Sequence, residues 1–149
     1  MDDVDKKIVL ELRKNARISL TELGQFINLS TPAVRTRLQR LENLGYIKAY
    51  SVMLDPEKFG KEFTCFCLVQ VSNHTVANDT TFEKFILECP DILECHRIAG
   101  QYDYMLKIVT RSTKNMEELL KKMRTKEEVI NISTFTVLLT QKEDISITP

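Results

Sequence analysis

Hydrophobic positions along the first fifty residues repeat at helical spacing, and those beyond alternate between strand-like and helix-like runs. Val4, Ile8 and Leu12 recur every four residues and Val9 widens the stripe, which predicts an amphipathic helix ending near Asn15. Asp2 or Asp3 is placed to cap it, and Asp5 falls in its first turn, where negative charge suits the helix dipole. Ser19-Leu20-Thr21-Glu22 forms a capping box, with Ile18 and Leu23 spaced as a hydrophobic staple, so a second helix starts there and ends near Ile27. Gly24 inside it costs about 1 kcal/mol relative to alanine, which close approach of another helix would justify. Only Asn28, Leu29 and Ser30 separate it from a third helix, capped by Ser30 or Thr31 with Pro32 in the first turn.

Winding the third helix at about 100° per residue sorts its side chains. Val34, Leu38 and Leu41 share a stripe, with Leu44 on its edge; Arg35, Thr36, Gln39, Arg40 and Asn43 fall opposite, and Arg37 lies on the flank. Two short helices across a three-residue turn, the second showing Arg, Thr and Gln outward, make a helix-turn-helix. Arg and Gln are the side chains that read guanine and adenine edges in the major groove. An ordinary solvated face is the alternative, but residues 31–40 hold three arginines and no acid. After Gly45, the loose alternation of Tyr46 to Leu54 predicts wing strands, with Lys48 in reach of phosphate.

Asp55-Pro56-Glu57 opens a turn and Gly60 closes it, so a linker is expected at 55–62, between a first domain at 1–54 and a second at 63–149. Beyond it come a strand from Phe63 to Val71, a helix from Thr80 to Glu88 stopped by Pro90, and strands from Ile92 to Ala99 and Tyr104 to Val109. A helix from Thr113 to Arg124 and a last strand from Val129 to Thr140 follow. The order β-α-β-β-α-β is the ferredoxin-like arrangement, so the fold class is α+β. Two helices cover one sheet face. The other keeps an apolar set, either Phe63/Cys65/Cys67/Val69/Val71 or Thr64/Phe66/Leu68, and its exposure in a small domain predicts a homodimer through this face.

Composition changes this picture in two places. The 21 Lys+Arg balance 21 Asp+Glu, yet residues 1–50 carry 9 basic against 6 acidic and the rest 12 against 15, so a basic face is hidden in the neutral sum. The four cysteines form no Cys-x-x-Cys pair and the two histidines, His74 and His96, lie apart, so reduced apolar cysteines and no metal are expected. The acidic start at Asp2, Asp3 and Asp5 and the lack of an apolar run near 20 residues predict a cytoplasmic protein without a membrane segment.

Several stretches together resemble one family. They are Asp5-x-x-Ile8 with Leu12 and Ala16-Arg17, then Glu22-Leu23-Gly24, then Leu29-Ser30-x-x-x-Val34-x-x-Arg37-x-x-x-Leu41 and Gly45-Tyr46-Ile47. The second domain adds Ile98-Ala99-Gly100-x-x-Asp103-Tyr104-Met105-Leu106-Lys107. Over nearly its full length the chain resembles the Lrp/AsnC, or feast/famine, transcription regulators. The resemblance implies a dimer that assembles further, into tetramers or octamers, binds pseudo-palindromic promoter DNA, and binds an amino-acid effector between dimers. It implies Arg37 as a backbone or base contact, with Thr31, Ala33, Arg35, Thr36 and Arg40 near the groove, and Ser30 at the cap and Gln39 on the outward face are expected to join them. It places Gly100, Gln101, Tyr102 and Asp103 in the effector loop, with Thr134 and Thr136 close by. For Asp103, pairing with an α-ammonium and bonding its own backbone as a turn residue remain equal alternatives.

Three rivals stand beside this reading. One is an architectural DNA-binding protein of the same family that answers to no ligand. Another is an enzyme resembling siroheme decarboxylases, for which His96 and Arg97 are adjacent and so on opposite faces of their strand, where at most one lines a given pocket. A ferredoxin-like phosphatase is set aside because Asn73-His74-Thr75 supplies no Gly-rich phosphate loop. No cofactor and no catalytic residue are expected.

Overall fold

The computed structural model describes residues 1–72, 81–144 and 146–149. The phosphatase loop at Asn73-His74-Thr75 and the expected helix start at Thr80 lie outside the described residues. The chain forms two compact units, 1–53 with 142–149, and 54–141.

In the first unit, α1 (Asp3–Lys14), α2 (Leu20–Ile27) and α3 (Thr31–Asn43) pack around Ile8, Leu23, Val34 and Leu41, all fully buried. Each helix begins where its cap dictates. Asp2 and Asp5 form a reciprocal capping box at α1, and Ser19 and Glu22 form another at α2. Ser30 is the α3 cap by its extended backbone, without a side-chain bond, and Pro32 occupies the first turn. The α2–α3 turn is made by Asn28 in the left-handed region, φ 56°, a conformation asparagine tolerates better than most residues.

Gly24 has a sharper reason than a neighbouring helix. A Cβ there would lie 2.6 Å from the Leu29 carbonyl oxygen and 3.6 Å from Val34 Cγ2. The same turn closes through Leu29 N–H donating to the Gly24 carbonyl at 2.9 Å.

One expectation at the edge of this unit is corrected, and the packing there crosses one expected boundary. Tyr46 to Leu54 forms no strand: the Tyr46 and Ile47 amides donate to the Leu41 carbonyl as a helix ending, and no described strand lies alongside to complete a ladder. Tyr50 instead donates its hydroxyl to Glu42 at 2.8 Å. Residues 142–149 group with the first unit rather than with the second, tied by Arg13 to Asp144 at 2.9 Å.

Glu57–Phe59, within the expected linker, is a single 3-10 turn closed by Gly60 at φ 69°. The second unit then builds β1 (Phe63–Val71), α4 (Thr81–Glu88), β2 (Ile92–Arg97), β3 (Tyr104–Thr110), α5 (Thr113–Arg124) and β4 (Val129–Thr136). The sheet order β2-β3-β1-β4, with every neighbouring pair antiparallel, is the expected ferredoxin-like topology. β4 stops short of Thr140 because its partner runs out: Val137 N–H reaches Thr64 O, and β1 begins at Phe63.

Alternation along β1 decides which apolar set meets the helices. Cys65, Cys67 and Val69 are fully buried with Leu106 and Ile108 against Phe82, Ile86, Met116, Leu119 and Met123. Phe66 and Leu68 point to the other face, where Phe66 is flanked by Lys107 and Phe135, and Leu68 by Met105 and Ser133. Among the described residues no helix is long and apolar enough to cross a membrane.

Candidate DNA-reading face and effector loop

The outward face of α3 and its inner flank have different partners. Arg35, Thr36, Gln39 and Arg40 are exposed, while Val34 and Leu41 face the core. Arg35 and Gln39 make no side-chain hydrogen bond or ion pair among the described residues. The Thr36 hydroxyl donates back to the Pro32 carbonyl at 3.1 Å. Ser30 is exposed, Thr31 and Ala33 are half-buried in the first turn, and Lys48 is exposed beyond the helix.

Arg37 has other company. Its Nη1 donates to Asp2 Oδ2 at 2.7 Å and to Asp5 Oδ1 at 2.8 Å, and Arg40 Nη2 donates to Asp5 Oδ2 at 2.5 Å. Asp5 is fully buried. Its carboxylate takes three donors, the two guanidiniums and the Asp2 amide at 3.1 Å. Burial alone would push the Asp5 carboxyl up, but the Asp2 amide and the two arginines outweigh it and hold it below the usual range. Asp2, bonded to Arg37 and to the Asp5 amide, is lowered to about 2. Arg37 is raised in turn by both acids. The arginine expected in the groove is therefore paired with α1, and only Arg40 keeps half its side chain in solvent.

Reading Asp2 as a cap and Asp5 as a first-turn charge missed this second role. The signal lay in matched spacing: two acids three apart on one helix, and two arginines three apart on another.

The expected effector residues divide between the two faces of β4. Gly100, at φ 138°, and Gln101 are exposed in the loop between β2 and β3. Tyr102 bonds its hydroxyl to Ser133 Oγ at 2.7 Å. Asp103 accepts the Val71 amide at 2.8 Å, and its own amide and carbonyl bind Val69 O and Ile98 N. Thr134 pairs with Cys67 and Thr136 with Cys65, so both lie on the helix face, opposite Ser133. Thr134 Oγ1 is 3.6 Å from Cys67 Sγ, and Thr136 is exposed. The loop is thus joined to Ser133, a residue the sequence reading passed over; a one-residue step in the alternation would have found it.

Two other groups bear on the rival chemistries. His96 lies 3.2 Å from Glu94, and the Arg97 guanidinium stacks over the Tyr104 ring at 5.9 Å. Tyr104 donates to Glu83 at 2.6 Å, and burial followed by that bond pushes its hydroxyl up to about 12. Among the described residues no group of three or more His, Cys, Asp or Glu is placed to hold a metal ion.

Comparison with known proteins agrees with both halves of this arrangement. A family model for winged helix-turn-helix DNA-binding domains matches residues 1–48, and one for the Lrp/AsnC ligand binding domain matches residues 64–147. The HTH-type transcriptional regulator LrpC of Bacillus subtilis is 38% identical over 122 residues, 82% of this chain and 83% of that one. The transcriptional activator DecR of Escherichia coli is 32% identical over 123 residues, 83% of this chain and 81% of that one. A transcriptional regulator of Neisseria meningitidis solved as an L-methionine complex superposes with a TM-score of 0.92 at 25% identity, over 99% of this chain and 96% of that chain. Helix-turn-helix, ferredoxin-like unit, both family matches and full-length similarity to regulators converge, and the chain belongs to the Lrp/AsnC family of transcriptional regulators.

Proposed function

We propose that this regulator reads promoter DNA with the outward face of α3 and changes its DNA affinity when an amino acid binds the second unit. The observation that carries the first half is the solvent-facing Arg35, Thr36 and Gln39 on a helix that follows a three-residue turn. Ser30, Thr31 and Ala33 at the helix start approach the backbone, where main-chain N–H groups suit phosphate, and Lys48 adds charge, while Arg40 borders this face from its pair with Asp5. Arg37 is given to the clamp on α1.

The second half rests on the β2–β3 loop. Gly100 and Gln101 leave its backbone open, while Tyr102 and Asp103 brace it on Ser133 and Val71. A braced loop with free N–H groups suits a carboxylate, and the spare lone pairs of Asp103 suit an α-ammonium. The relative from Neisseria meningitidis and a second one from Mycobacterium tuberculosis, with a TM-score of 0.88 at 28% identity, were both solved with L-methionine. Thr134 and Thr136, on the opposite face of β4, fall outside the proposed effector region, and Ser133 takes their place. The open sheet face around Phe66, Leu68 and Met105 is the surface through which two copies pair, and higher assembly builds on that dimer.

A thermal-shift screen of the full chain against the common amino acids tests the effector half. One amino acid, with L-methionine as the first probe, should raise Tm in proportion to its logarithmic concentration. No shift with any of them at millimolar concentration would leave a ligand-independent DNA-binding protein.

A further inference from the structure

We propose that Asp5 is a positioning residue for base reading. By holding Arg37 and Arg40 against α1, it sets the rotation of α3 and leaves Arg35, Thr36 and Gln39 as the side chains that choose the sequence. This rests on the DNA-binding reading above.

The geometry carries it in three steps. Arg37 and Arg40 are three residues apart, so they project within about 60° of each other, on the side of α3 that meets α1. Arg35 and Gln39 project at least about 100° from both, and Thr36 lies beside Arg40 on the exposed side. The apolar contacts of α3, through Val34 and Leu41, attract without direction. Two hydrogen-bonded ion pairs from successive turns to the two oxygens of one buried carboxylate are directional, and they fix how far the helix is rolled about its axis.

Charge accounting separates this role from simple electrostatics. Asp2 and Asp5 together balance Arg37 and Arg40, and a DNA phosphate would have to displace two carboxylates, one of them buried, to recruit Arg37. Removing an acid from beside the DNA face should, by Coulomb attraction alone, strengthen binding to every duplex. A positioning role predicts the opposite for the preferred sequence.

The test compares a duplex selected from a random pool by the unmodified full-length chain with a random duplex of equal length. Asp5→Asn keeps the shape and removes the charge. The preference for the selected duplex should fall by about tenfold, in the range of one lost base contact, while random-duplex affinity holds or rises. Loss of folded protein would lower both affinities alike and leave their ratio unmoved, so an unchanged ratio overturns the inference. Arg37→Gln is the second variant, and it leaves Asp5 its bond to Arg40. It should lower the same preference without changing the salt slope of random-duplex binding. A slope reduced by about one would make Arg37 a phosphate contact and overturn the inference. Arg37→Lys, which keeps one cationic donor for the same carboxylates, should restore the preference. Failure of the DNA reading itself would be seen separately, as no duplex binding by the unmodified chain at low salt, and would remove this inference with it.

Discussion

The Asp103 carboxylate accepts the Val71 amide at 2.8 Å, at the point where the pairing of β1 with β4 slips between Gln70 and Val71. The Val69 carbonyl and the Val71 amide both face the β3 side, where pairing with β1 ends at Val69 and Tyr104, so the side chain supplies what that ladder cannot. Asp103→Ala should therefore destabilise the second unit by about 1–2 kcal/mol, read as a lower urea midpoint with unchanged slope. Asp103→Asn keeps an acceptor for Val71 but loses the charge. It should keep most of the stability and lose the amino-acid response, and a full response in this variant would remove Asp103 from the effector site.

Tyr102 and Ser133 make the corresponding tie on the open face. Tyr102→Phe removes one hydrogen bond and little volume, so stability should fall by only about 0.5–1.5 kcal/mol. If the loop is braced for a ligand, the amino-acid concentration needed for half response should rise severalfold in the same variant. Equal half-response concentrations would confine Tyr102 to packing.

Gly24→Ala sets two effects against each other. Helix propensity favours alanine by about 1 kcal/mol, but the new methyl would lie 2.6 Å from the Leu29 carbonyl oxygen, a backbone atom of the helix-turn-helix corner. Backbone yields poorly, so the clash should win, with a net loss of about 1–3 kcal/mol and weaker DNA binding. A variant more stable than the parent, by chemical denaturation, would show that the corner relaxes freely.

Acid should weaken the first unit in a defined window. The folded-state values of Asp2 and Asp5 are depressed, that of Asp2 to about 2, so their contribution is present above the ordinary aspartate value of about 3.9. It is lost as pH falls from there toward about 2. The helical signal of the first unit should melt at lower temperature across that interval, and Asp2→Asn should flatten the dependence. An equally steep fall in Asp2→Asn would assign the acid sensitivity to other carboxylates.

Much of this was legible in the chain because local rules and tertiary packing agree. The cap at Asp2, the capping box at Ser19, Pro32 in the first turn of α3, and the alternation of β1 each fix an element by short-range physics. What escaped depends on partners distant in sequence. Arg37 looks like a groove-facing cation until α1 brings Asp2 and Asp5 against it. Tyr46 to Leu54 alternates like a strand, but a strand needs a neighbour, and none of the described strands lies beside it. Thr134 and Ser133 differ by one step, and which of them meets the loop is set by register, through Cys67 and Leu68 on β1.

The most direct measurement is a fluorescence-anisotropy titration of the full chain against duplex DNA from its own upstream region, at two salt concentrations, with and without the amino acid that raises its Tm. The account predicts sequence-selective binding that weakens steeply with salt and shifts when the amino acid is added. No binding to that duplex or to a random one, even at low salt, would contradict it.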